Sequence, residues 1–369
     1  MTSNVLIANK NLIALAADEK ITLINEKTYA GVQKIFKISD AFSGGIMING
    51  NVDFEGMPLK SLINEFSKSY DFDSMESIVK IKDVFIDFLA LKTNSTNPET
   101  YLKDLLDLFK EKVEYSDFSK FIANESRHKI QPFIKKLPNF ENEFRDVIPD
   151  GYDKLEYNLI LWEIFSYYLT FEGTGIIFAG YNRNQFFPSF VEINIYFNNN
   201  GEIIHEIVES LENTKKPIIR IYANNEEAYA FLSGVGGDFE YSLNEYFQKS
   251  HENMVVRFEN FLDSYVDLDL NIKKEILSYF ANLQKDEAIN NSLFIDYFKS
   301  DSINFIAEYI EDLPKHLICD LARKLINLTS LKQKITPEIE SVGDEIDLLI
   351  IEYAKAVIVD CKIIFINFN

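Results

Sequence analysis

The apolar runs at the start of the chain are short and are punctuated by polar turns. Val5–Ala8 and Leu12–Ala17 flank Asn9-Lys10-Asn11, a polar stretch suited to a hairpin. Lys34–Ile38 and Gly45–Ile48 are two more such runs, separated by Ser39, Asp40 and Ser43-Gly44-Gly45. These four runs are expected to form one antiparallel sheet. From Pro58 the period lengthens: Leu59, Leu62, Ile63 and Phe66 fall on one helical face. Asn97-Pro98 marks a helix start, and Leu102, Leu105, Leu106, Phe109 and Val113 continue the helical spacing. Helix is expected through about residue 171.

A second strand region follows. Gly175–Gly180, Phe190–Phe197 and Glu202–Val208 run apolar or alternate, with Asn198-Asn199-Asn200-Gly201 as a turn, and Pro217–Tyr222 is a further strand. Glu226–Leu232 and Ser242–Leu328 return to helical spacing, with Leu317, Leu321, Ala322, Leu325 and Leu328 predicted as one face. The chain closes on Ile346–Ile351, Ala356–Val359 and Lys362–Phe368, all strand-like. Strands, helices, strands, helices, strands is not a βαβ alternation, so the order predicts an α+β fold with mainly antiparallel sheets. With no internal repeat and no Pro/Gly linker, residues 1–369 read as one domain. Its helical elaborations fall at about 59–171 and 238–330.

Composition narrows the choice of function. The 369 residues are 47% hydrophobic, enough for a substantial core, and 31 Phe and 19 Tyr make that core aromatic. The formal net charge of −21 repels phosphate backbones, which argues against nucleic acid as a partner. Neither a long uncharged apolar stretch nor a secretory signal profile is seen, so no membrane partner and a cytoplasmic location are expected. Cys319 and Cys361 form no framework, and His128, His205, His251 and His316 are scattered. No metal and no cofactor are expected.

Candidate chemistry concentrates in the first fifty residues. Thr2 follows Met1, Asp18 lies sixteen residues on, and Lys34 sixteen beyond that. If Met1 is removed, Thr2 carries a nucleophilic hydroxyl and a basic α-amine on one residue. Thr2-Ser3-Asn4-Val5 through Leu12-Ile13-Ala14-Leu15-Ala16-Ala17-Asp18 resembles the start of a mature proteasome β subunit or its bacterial relatives. Lys34-Ile35-Phe36-Lys37-Ile38 resembles that family's lysine-bearing strand. Gly45-Ile46-Met47-Ile48-Asn49-Gly50 resembles its next strand, which ends at the oxyanion glycine. Gly180 to Gly201 is similar to its central hairpin, and Ser341-Val342-Gly343-Asp344-Glu345-Ile346-Asp347 to its Ser-Gly-Gly-x-Ile-Asp segment. The helical stretches are longer than in an ordinary β subunit and look like those of bacterial proteasome-like proteins.

This resemblance implies an N-terminal nucleophile (Ntn) hydrolase fold, a four-layer αββα sandwich with extra helical insertions. It implies a threonine-type hydrolase of peptide or amide substrates that works through an acyl-enzyme, and it implies self-association as a homo-oligomer. Thr2 would be the nucleophile. Lys34 would keep its amine unprotonated, Asp18 would hold Lys34, and the Gly50 N–H would face the oxyanion. Two regions depart from the family. Tyr222-Ala223-Asn224-Asn225-Glu226 lacks the Gly-Ser-Gly serine, leaving Asn225 as its hydrogen-bonding substitute. Three residues before Ser341 stands Glu338 where the family has Asp, with Glu340 as the other candidate. These departures favour a rival reading, a catalytically silent proteasome-like subunit that acts in assembly, sensing or partner binding.

Overall fold

In the computed structural model, residues 3–22, 28–94, 173–223, 226–264, 269–336, 340–353 and 355–359 are described. The expected helix start at Asn97-Pro98, the stripe from Leu102 to Val113 and the strand Lys362–Phe368 lie outside them.

The polar turn does make a hairpin: β1 (Ser3–Asn9) and β2 (Leu12–Asp18) pair antiparallel, with Asn4 opposite Ala17. The short β3 (Ile21–Thr22) and β4 (Thr28–Tyr29) pair with each other. Then come β5 (Ile35–Lys37) and β6 (Gly44–Asn49), followed by the small hairpin β7 (Asp53–Phe54) and β8 (Met57–Pro58). Helix α1 (Leu59–Ser69) buries Leu59, Leu62, Ile63 and Phe66, the face its spacing predicts. Helix α2 (Ile78–Lys92) is capped by Ser77, whose hydroxyl accepts from the Lys80 N–H.

Strands β9 (Thr174–Tyr181), β10 (Pro188–Asn199), β11 (Glu202–Leu211) and β12 (Ile218–Ala223) follow, and the β10–β11 turn holds Asn200 and Gly201 at positive φ. Four helices come next: α3 (Glu226–Ser233), α4 (Gly237–Asp263), α5 (Leu270–Ile310) and α6 (Lys315–Ile335). The stretch 238–330, expected to be helical, is spanned by three of these helices, α4, α5 and α6. The chain's last described strands are β13 (Ile346–Glu352) and β14 (Lys355–Val359).

The strands form two five-stranded sheets. The first runs β12-β1-β2-β13-β14 and the second β11-β10-β9-β6-β5. This corrects the expectation of one N-terminal sheet: β1 and β2 belong to the first, β5 and β6 to the second. Strands buried on both faces carry no alternation to reveal which neighbours they take. The mixture of helices and antiparallel sheets bears out the α+β class.

Three apolar clusters follow the alternation of side chains across each strand. Leu6, Ile13 and Leu15 of the first sheet meet Met47, Ile177 and Phe190 of the second. The outer face of the second sheet packs on α1 and α2, where Phe66 touches Phe72 and Phe85 edge-on at 5.3 and 5.0 Å. The outer face of the first packs on α3, the end of α5, and α6. The face of α6 is rotated from the predicted one: Ile318, Ala322, Leu325 and Ile326 are buried, and Leu317 is exposed.

Candidate functional site

Asp18 closes β2, and its carboxylate gathers four donors. Oδ1 accepts from the Ser3 N–H and from Lys34 Nζ, both at 2.8 Å. Oδ2 accepts from the Lys20 and Gly343 N–H groups, both at 3.1 Å. Asp18 is 1% exposed and Lys34 is 1% exposed, so the pair is fully out of water. Burial of charge on this scale is sustained only where hydrogen bonds satisfy both partners. Lys34 meets that condition: Nζ also donates to the Lys20 carbonyl. Two of its three N–H bonds are therefore committed among the described residues, leaving one for an acceptor outside them. Burial pulls the Lys34 ammonium below the ordinary lysine value, opposed by the Asp18 charge and hydrogen bond.

Lys34 stands immediately before β5. Its carbonyl accepts from the Ile48 N–H of β6 at 2.9 Å. The Ile48 carbonyl in turn accepts from Asn4 Nδ2 of β1 at 2.8 Å. Ile48 therefore ties the lysine's strand to β1, across the two sheets. Gly50 follows two residues later, at φ 92°, where a side chain would be strained and a Cβ would come to 3.3 Å from the Gly173 carbonyl.

Asp18, Lys34 and the strand leading into Gly50 thus come together. Thr2, Asn225 and Glu338 lie outside the described residues, though Ser3, next to Thr2, is bonded to Asp18. Ser341 is buried, and Gln333 of α6 holds it: Nε2 donates to the Ser341 hydroxyl, and Oε1 accepts the Ser341 and Val342 N–H groups. The Ser341 loop reaches the site through Gly343, two residues on. Glu340 points to Lys20, 3.7 Å away.

Sequence reasoning missed Gly343 and the Lys20 backbone, because main-chain donors and acceptors leave no mark on residue type. It also missed a pocket of about 290 Å³ beside the ion pair, lined by Glu19, Gly31, Gln33, Ile35 and Asp347 among others. Glu19 adjoins Asp18, and Gln33 and Ile35 flank Lys34. Burial raises the Glu19 carboxyl above its ordinary value, and the Asp347 and Glu345 carboxylates add to the rise.

Across the first sheet, Tyr222, Asn4, Ala17 and Asp347 stand in one register row. The Tyr222 hydroxyl, Asn4 Oδ1 and the Ser3 hydroxyl are buried without a hydrogen-bond partner among the described residues. Burial holds the Tyr222 phenol protonated far above its usual range, reinforced by Glu192. Asn4 and Tyr222 face each other across β1 and β12, whereas Ser3 turns to the opposite face of the sheet; buried polar atoms without a partner are uncommon in a folded interior. Among the described residues, no three His, Cys, Asp or Glu side chains cluster as metal ligands, and no helix is long and apolar enough to cross a membrane.

No model of a known protein family matches the chain, and no curated protein matches it. One similar solved structure is a Gly-1 mutant of Anbu from Hyphomicrobium sp. strain MC1. It is 10% identical, with a TM-score of 0.38, and the match covers 98% of this chain and 89% of that one.

Proposed function

We propose that this chain is a threonine-type amide hydrolase of the proteasome-like Ntn class, with its two sheets and flanking helices as the αββα sandwich. The observation that carries the reading is the buried Lys34–Asp18 pair, whose carboxylate also accepts the N–H of the residue following Thr2. A lysine bonded to a carboxylate and a carbonyl, with one N–H left over, suits a neighbour that is itself a hydroxyl or an amine.

With Met1 removed, the Thr2 Oγ attacks the amide carbon while the α-amine takes the hydroxyl proton. The reference pKa of a terminal amine, roughly 7.7–8.0, is close to neutral pH. The Lys34 charge lowers its proton affinity further. The Gly50 N–H faces the developing oxyanion. Collapse breaks the C–N bond, the leaving amine takes the proton from the α-amine, and the acyl group stays on Oγ as an ester. Water then attacks that ester with the α-amine again as base, releasing the acid and restoring Thr2.

Two measurements test this. Intact mass of the native protein should show loss of Met1; retained Met1 sinks the mechanism. Thr2→Ala should abolish amide hydrolysis and labelling by a threonine-directed electrophile. A catalytically silent subunit is the second reading, favoured by the missing serine near Asn225 and by the full set of donors on Asp18, which would also serve a purely structural hub. Processed protein that neither hydrolyses amides nor takes the electrophile establishes that reading instead.

A further inference from the structure

Helix α5 is apolar on two opposite sides, and among the described residues only one of them is covered. Ile303, Ile306 and Ile310 join the cluster under the first sheet; Phe280, on the flank between the two sides, stacks on Phe258 of α4 with ring centroids 4.4 Å apart. On the other side, Ile272, Tyr279, Leu283, Phe294 and Tyr297 are 50%, 68%, 43%, 68% and 70% exposed. At 3.6 residues per turn these five fall within an arc of about 60° along about 37 Å of helix. Phe305 and Tyr309, in contact with each other, widen one edge of this stripe. A helix that is apolar on two opposite sides is suited to lie between two layers rather than at a surface.

We propose that this face of α5 packs against the same face of a second copy of the chain. Area is what selects the occupant. Five aromatic rings of roughly 150–250 Å² each, about two-thirds exposed, plus two half-exposed aliphatics, offer on the order of 800 Å². A stable two-protein interface takes about 800 Å² from each partner. A stripe along a helix axis can meet itself about a two-fold axis perpendicular to that axis, the geometry of an isologous dimer. The net charge of −21 on each copy opposes the approach at long range, so added salt strengthens the dimer. None of this depends on the activity proposed above.

Sedimentation velocity on the full chain tests it, comparing wild type with Phe294→Glu/Tyr297→Glu. A micromolar dimer is expected that tightens with salt, and the double variant should raise the dissociation constant about 100-fold or more, with an unchanged far-ultraviolet spectrum. Hydroxyl-radical footprinting of the wild type guards against a misfolded variant: Tyr279 and Tyr297 should gain protection as concentration rises. A wild type that stays monomeric, or a dimer indifferent to both charges, overturns the proposal. Protection independent of concentration overturns it too, assigning the stripe to another stretch of the same chain.

Discussion

Lys34 and Asp18 show how a few atoms can constrain a whole region. Either charge alone would be buried and uncompensated, a loss of about 3–5 kcal/mol for such pairs. Lys34→Met is expected to lower unfolding free energy by about that amount in urea titrations. Combined with Asp18→Asn it should cost less than the sum of the single changes; strict additivity would mean the pair is uncoupled. Glu19 supplies the pH dependence. Its folded value is raised by burial and by Asp347, so the folded state holds the proton more tightly than the unfolded chain. That advantage is present at acid pH and is lost as pH rises through the raised value. Glu19→Gln should match wild type near pH 4 and exceed it in stability near pH 7, read by urea titration at both; equal stability at both would refute the role given to Glu19. Asp18 and Lys34 were legible because carboxylate and ammonium are side-chain properties at fixed places in the sequence. The Gly343 donor was not, since it reaches Asp18 from 325 residues away through the backbone.

At the scale of elements, existence and type were legible for the longer described strands and helices, not for the two-residue strands β3, β4, β7 and β8, and partnership was not legible. Leu12–Ala17 and Gly45–Ile48 look alike, both short and apolar. Only their neighbours distinguish them: β2 pairs with β13, whereas β6 pairs with β9. The β6–β9 contact leaves a readable trace in Gly180, opposite Gly44. A Cβ at Gly180 would stand 2.5 Å from the Ser43 carbonyl and 2.9 Å from Gly44 Cα, both backbone atoms. Gly180→Ala must therefore push two strands apart, and a destabilisation of about 1–3 kcal/mol or more is expected. A melting temperature equal to wild type would show that the sheet yields there at no cost. The rotated face of α6 has a similar cause: helical spacing names a stripe, but the sheet beneath decides which edge of it is covered.

At the scale of the molecule, the strand-helix order was enough to give an α+β fold, and the layering came from contacts that sequence order conceals. The net charge of −21, which argues against nucleic acid, gains a second consequence once α5 presents an apolar face. Association then has to overcome repulsion between like-charged copies, so it should strengthen as salt screens that repulsion. The composition of the first sheet also bears on biosynthesis. Its N-terminal hairpin lies between β12 on one side and β13 on the other. A ribosome adding roughly 5–20 residues each second needs on the order of 20–60 s to go from Asp18 to Gly343. During that interval β2 has an open edge and Asp18 lacks one of its donors. The order of synthesis thus leaves the Asp18 carboxylate one donor short until long after the carboxylate and its lysine have emerged, so a site begun early is completed late.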